Sequence, residues 1–301
     1  MDHAVRMLGL GNAHGASETL KSVLGADPEN ARAHALLALC LVELRRLHAA
    51  EHEAGLALAI DPEDPMGHLV LGEVLRARRK LKKAEEHLRR AVELDPDEPM
   101  NHRALAALFA LQGRRAEAGQ QLAAALALDP NDPATLVALG RHDLAQGHLL
   151  PARGRAREAL DQAPEHLDAL VLMGDVLLRE GAVEQAREHA LWAISIDAND
   201  RGALYLLSSI KARTNPLLGL WWRWNAWVGS LGDGSEMLVI IVPFVLYRIG
   251  DVALVNAGMK QSSTWLEYAW LAIVAYTWFA PVIFRKMVQK EMSEVRLRPD
   301  Y

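Results

Sequence analysis

The 301 residues carry a formal net charge of -5, with 24% charged and 51% hydrophobic side chains. That balance excludes a collagen-like or disordered chain, and the acidic sign argues against nucleic acid as the main partner, since counterion-releasing binding needs a basic face. A single cysteine, Cys40, excludes a disulfide framework and a cysteine-based zinc cluster.

Two different parts lie under this average. Through Arg213 the chain holds 25 Lys and Arg against 31 Asp and Glu; from Thr214 it holds 8 against 7, together with seven of the eight tryptophans. Residues 1–10 include Asp2, His3 and Arg6 and no long apolar run, so no signal peptide is read there. A charged, cysteine-poor first part suggests the cytoplasm.

That first part is periodic. Pro28, Pro62, Pro96, Pro130 and Pro164 recur every 34 residues, with Ala198 where a sixth would stand, and four of them follow Asp27, Asp61, Asp95 and Asp129. Twelve residues ahead of each lies an alanine (Ala16, Ala50, Ala84, Ala118, Ala152, Ala186), and a further twelve ahead a small residue (Ala4, Ala38, Gly72, Ala106, Gly140, Gly174). Val23, Ala57, Ala91, Ala125, Ala159 and Ala193 keep the same register. Small residues on two antiparallel helices let their backbones approach, and leucines fill the surrounding space. Proline separates one pair from the next, and stacked pairs bury what no single pair can.

The pattern resembles the tetratricopeptide repeat (TPR) family over residues 1–213, although His34, His68, His102, Leu136, Leu170 and Leu204 replace the family's bulky first-helix aromatic. The resemblance implies an all-α superhelical solenoid of about six helix pairs, with Arg201–Lys211 as an unpaired capping helix. It also implies a partner-binding groove on one face of the first helices. Carried onto this chain, that face comprises Arg32, Leu39, Met66, Leu69, Glu73, Arg76, Met100, Arg103, Val137, Arg141, Asp168, Asp175 and Arg179. The lysines and asparagines with which some members clamp a carboxylate are missing from it. Arginine mixed with methionine suits a protein partner presenting an amphipathic acidic peptide or helix.

Asn215-Pro216 breaks the register. Residues 214–234 then hold Trp221, Trp222, Trp224 and Trp227, a density suited to a helix in the bilayer interface. A soluble capping helix packing these rings on the last repeat is the alternative. Met237–Met259 and Trp265–Phe284 follow as apolar stretches long enough to cross a ~30 Å hydrocarbon layer. Joined by a turn at Lys260–Thr264 they read as a transmembrane helical hairpin over 235–285, the alternative being a buried soluble helical pair. Arg248 and Asp251 fall near the centre of the first span, each costing about 2.5–3.5 kcal/mol there. Three residues apart, they are expected to pair and to face the second helix or a neighbouring subunit, leaving Leu246 and Leu254 toward lipid. Lys211, Arg213 and Arg223 precede the hairpin and a basic tail, 286–301, follows it, so both termini are expected on the cytoplasmic side of an inner membrane crossed twice.

No catalytic, cofactor or metal site is expected. His48-Ala49-Ala50-Glu51-His52 matches the H-x-x-E-H zinc pattern, but Ala50 belongs to the repeat register and no third ligand is indicated. The His34, His68 and His102 ladder is spaced too widely for one ion and is expected to pack under the next repeat. Gly9, Gly11 and Gly15 lack the lysine of a phosphate loop. The sequence therefore suggests a non-enzymatic adaptor that organises protein partners at a membrane. Its alternative is an oligomeric pore or transport module, a homo-oligomer of hairpins, with the repeats as a regulatory collar.

Overall fold

The computed structural model describes residues 1–9, 11–214, 236–259, 261–262, 264–272, 274–276, 279 and 286. The Trp-rich segment beyond Thr214 and the tail beyond Lys286 lie outside the described residues. Two compact units divide at Leu172 and Met173.

In the first unit the helices are α1 (Asp2–Gly9), α2 (Ala13–Ala26), α3 (Ala31–Glu43), α4 (Leu47–Ile60), α5 (Pro65–Ala77), α6 (Leu81–Leu94), α7 (Pro99–Leu111), α8 (Arg115–Leu128), α9 (Pro133–Ala145) and α10 (Leu149–Gln162). Helix α11 (Leu167–Glu180) bridges the division, and the second unit holds α12 (Val183–Ile196), α13 (Arg201–Thr214) and α14 (Glu236–Asn256). These include thirteen helices in the repeat register, and no strand occurs among the described residues.

Each pair begins and ends with local chemistry. Even helices close with the Asp61, Asp95 or Asp129 amide donating to the Ala57, Ala91 or Ala125 carbonyl. A proline follows, and a second series of prolines then opens the next helix: Pro65, Pro99 and Pro133 occupy the first turns of α5, α7 and α9, where a missing N–H costs nothing. Just ahead of them the carboxylates of Asp64, Glu98 and Asp132 cap the free amides.

The turn inside each pair is also periodic. Gly11, Arg45, Arg79, Gly113, Gly147 and Gly181 all have positive φ, 60° at the two arginines and 73–88° at the glycines. The residue after each donates its amide back over the helix end, as Arg46 does to Leu41 at 2.8 Å and Arg114 to Phe109 at 2.9 Å. This is the Schellman closure, for which glycine is the unstrained residue.

Within the first unit each odd helix packs against the even helix that follows it, and α3, α5, α7 and α9 also touch in succession. Odd helices therefore form one layer and even helices the other. The register alanines Ala16, Ala50, Ala84, Ala118 and Ala152 are all 0% exposed. At Gly72 a Cβ would stand 2.6 Å from Leu88 Cδ2 and 3.4 Å from the Ala84 carbonyl oxygen, and at Gly140 2.5 Å from Leu172 Cδ2. Glycine there makes room for a leucine. Leu20, Leu88 and Leu108 are fully buried in the spaces between.

In the second unit, α13 packs on α12 and buries Leu206, Leu207 and Ile210. Helix α14 ends at Asn256, earlier than the expected turn, because Gly258 adopts φ +75° and Met259 donates back to Leu254 at 3.0 Å. Residues 264–272 are helical again and run antiparallel to α14: Tyr247 stacks on Trp270 with centroids 5.1 Å apart, and Gly250 faces Leu266. Among the described residues no helix is long and apolar enough to cross a membrane.

Candidate partner-binding surface

The odd-helix layer carries the residues expected to line a groove, and the fold sorts them. Arg32 and Met66 come together with Asp61 and Asp64 around a depression of about 350 Å³ between α3 and α5. Met100 projects from α7 with 48% of its surface exposed. Leu69 and Val137 instead point into the core, at 8% and 3% exposure. Leu39 is half-buried, packed on the apolar cluster of the first repeats.

Each expected groove arginine of the first unit beyond Arg32 has a carboxylate partner. Arg76 grips Glu73, one turn back on the same helix, through Nε at 3.1 Å and Nη2 at 2.5 Å. Arg103 reaches Asp132 at the start of α9 and donates to the Thr135 hydroxyl at 3.1 Å. Asp132 is then fully occupied, because it also accepts from the Ala134 and Thr135 amides and the Thr135 hydroxyl. Burial alone would raise its pKa, but the Thr135 hydroxyl, Arg103 and the two amides outweigh it and hold the carboxyl below its ordinary value. Arg141 meets Asp168 at 2.5 Å with both side chains exposed. The arginines of the expected groove face are thus largely compensated. Sequence reasoning passed over Asp132 and Thr135; the signal was an acid before a helix-opening proline, 29 residues after an arginine on the preceding odd helix. Arg179 is exposed and Asp175 half-buried in the second unit.

The histidine ladder is held by hydrogen bonds within each repeat. Nε2 of His34, His68 and His102 donates to the carbonyl of Pro28, Pro62 and Pro96 at 2.9–3.0 Å. Their Nδ1 atoms meet the residue 19 positions on in the paired helix: Glu53 at 2.6 Å, His87 at 3.0 Å and Gln121 at 2.8 Å. A ring that stitches a turn to both helices takes the place of the family's aromatic. Burial, with His68 adding to it, lowers the pKa of His87.

The H-x-x-E-H segment is opened by its own fold. His48 and His52 are exposed, while Glu51 pairs with Arg78 and with Lys80 at 2.8 Å in the next repeat. Among the described residues no group of His, Cys, Asp or Glu could hold a metal ion. Cys40 is buried, and desolvation pushes its thiol up to about 11, so it is not a reactive thiolate.

On α14 the Arg248 guanidinium lies 3.2 Å from Asp251 Oδ2, with side-chain exposures of 55% and 19%. Leu246 is 63% exposed, on the outward side as expected, but Leu254 is half-buried: it shares the Tyr247 and Gly250 side that faces the following helix. The outward stripe instead runs through Leu246, Ile249, Val252 and Val255.

The tetratricopeptide repeat profile matches residues 7–68, 69–133 and 137–201. Among solved structures, a thermophilic TPR protein of Thermus thermophilus is 27% identical with a TM-score of 0.56, covering 59% of this chain and 97% of its own. A tetratricopeptide repeat protein of Parabacteroides merdae is 17% identical with a TM-score of 0.59, covering 69% and 81%. PilW, a type IV pilus biogenesis factor, is 19% identical with a TM-score of 0.53, covering 68% and 96%. No protein with a curated description matches. The last two similarities speak to fold alone, whereas the repeat profile covers most of the chain and coincides with the helix pairs. The chain belongs to the tetratricopeptide repeat family.

Proposed function

We propose that this protein is a scaffold held at the cytoplasmic face of a membrane, where its odd-helix layer recruits a protein partner. Tetratricopeptide repeat proteins generally act as non-enzymatic interaction scaffolds, which supports the first half of the reading. The observation that carries it is the layer of odd helices in the first unit, with Arg32, Met66, Met100 and the Arg141–Asp168 pair on its surface. Exposed methionine beside charge that a partner can re-pair suits an amphipathic peptide or helix.

The anchor in this reading is 235–285, preceded by an interfacial segment at 214–234 and followed by a cytoplasmic basic tail at 286–301. It is supported by the two apolar stretches, by the lysine and arginine bias on their outer flanks, and by the outward stripe of α14. The Arg248–Asp251 pair satisfies its own charges, which an anchor needs and a polar path does not.

Affinity purification of the full chain from a detergent extract, with mass spectrometry of what co-elutes, tests the scaffold. Met100→Glu combined with Arg141→Glu is expected to abolish capture while leaving the melting temperature unchanged. Unchanged capture would move the site off this layer. Arg103 is the wrong probe for binding, because its loss would leave the Asp132 carboxylate without its cation and disturb the start of α9. Retention of the full chain in membranes through an alkaline carbonate wash tests the anchor, and release into the wash would refute it.

A further inference from the structure

We propose that one lateral edge of the first unit, formed by the odd-to-even turns, docks on a surface of anionic phospholipid. The proposal rests on the membrane reading above and names the surface that the repeat array meets there.

The argument begins with topology. Odd helices lie side by side, and short turns make each even partner antiparallel, so all odd-to-even turns emerge at one edge of the layers. All even-to-odd turns emerge at the other. The first edge is basic: Arg45, Arg46, Arg79, Lys82, Lys83 and Arg115 are exposed, and residues 44–48, 78–83 and 112–116 contain no Asp or Glu. Acids that approach this edge from the even helices are already engaged by inner cations. Glu51 pairs with Arg78 and Lys80, and Glu85 and Glu117 pair with Arg114. Glu43, at the end of α3, is an exposed acid beside the first of these turns, but the exposed cations outnumber it six to one. The opposite edge is acidic, with Asp27, Glu29, Asp61, Glu63, Asp97 and Asp129 exposed.

Three features favour a lipid surface. Equivalent residues of neighbouring repeats stand on the order of 10 Å apart, so the cations form a row that no small anion can bridge and a plane of headgroups can. The acidic opposite edge is repelled by the same plane, which fixes one orientation of the array. The same chain carries the outward apolar stripe of α14, and an anchor raises the effective concentration of headgroups so that a few contacts suffice. Two of the six positions, Arg45 and Arg79, hold the left-handed φ that glycine fills elsewhere in the register, so cations stand where backbone strain disfavours any side chain.

The full chain is reconstituted with vesicles of phosphatidylcholine alone or with a third of phosphatidylglycerol. Flotation reports attachment, and amide hydrogen exchange of segments 44–50, 78–84 and 112–118 reports the edge. The expected result is flotation with both vesicles and slowed exchange at these segments only with the anionic ones. That slowing should be lost at high salt. Arg79→Glu, Lys82→Glu and Arg115→Glu together should weaken docking by on the order of a hundredfold without changing the melting temperature. Flotation with both vesicles but equal exchange in both overturns the docking face and leaves the anchor standing. Flotation with anionic vesicles only, lost in the triple variant, supports the face while refuting the anchor; flotation with neither overturns both. If slowed exchange at the basic turns is matched at 27–30 and 61–64 and grows with protein density in either lipid, the occupant is a second copy and the proposal fails.

Discussion

The first unit and helix α14 use similar apolar side chains in opposite ways. In the repeats most apolar side chains meet a neighbouring helix and the register alanines reach 0% exposure, with Leu150 at 78% and Met100 at 48% among the exceptions. Among the described residues helix α14 has one neighbour, the helix at 264–272, which meets Tyr247 and Gly250; Leu246, Ile249 and Val252 are 50–63% exposed. Periodicity makes the difference. A 34-residue repeat gives each internal helix a copy of its partner on either side, whereas α14 has no repeat to supply its second surface.

The largest expected effect tests that second surface. Ile249→Arg places a charge on the outward stripe, and at the centre of a bilayer it costs about 2.5–3.5 kcal/mol. Membrane retention of the full chain should fall roughly a hundredfold, with the repeats still folded by circular dichroism. Retention equal to the wild type would mean that the stripe meets something other than hydrocarbon.

Next comes the opposite case, a position with no room. Ala118→Leu should overpack the α7–α8 contact and cost about 1–3 kcal/mol, while Ala116→Leu, exposed on the same helix, should stay within about 0.5 kcal/mol. Chemical denaturation of both variants decides it, and equal midpoints would break the contrast between inward and outward faces.

Smaller effects come from titration. His87 has a lowered pKa when folded, so the unfolded chain binds more protons just below pH ~6.5 and stability falls as pH drops through that range. His87→Gln should flatten the loss between pH 7 and 5 in urea melts. Asp132 is likewise lowered, so its contribution persists above pH ~4 and is lost as pH falls further; Arg103→Ala should soften that acid limb. An unchanged profile in either variant would remove that group from the cause.

The smallest expected effect is a gain. Arg45→Gly and Arg79→Gly place at φ 60° the residue that the other four turns already use, and both arginines are exposed. Each should stabilise the fold by about 0.5–1 kcal/mol, less whatever entropy glycine restores to the unfolded chain. Calorimetric melting that falls instead would show that the arginine side chains contribute more than their backbone strain costs.

The helix pairs, their order and their tight contacts were legible in the sequence because a close approach of two helices tolerates only Ala or Gly, and that restriction repeats visibly at Ala84, Gly72 and their equivalents. The turn proline was legible for the same kind of reason. The second proline series and the left-handed turn residue are equally periodic but less visible, since Arg45 and Arg79 break the glycine series. What a surface arginine does was not legible. Arg76, Arg103 and Arg141 share one expected face in the sequence, yet their carboxylate partners lie 3 residues back and 29 and 27 residues on. Pairing depends on which end of a neighbouring helix a long side chain can reach, and that distance exists only once the helices have stacked. Sequence alone thus determined the repeat, because steric exclusion acts position by position. Tertiary structure decided which charges are already compensated and which edge is left basic, because electrostatic pairing is settled across repeats.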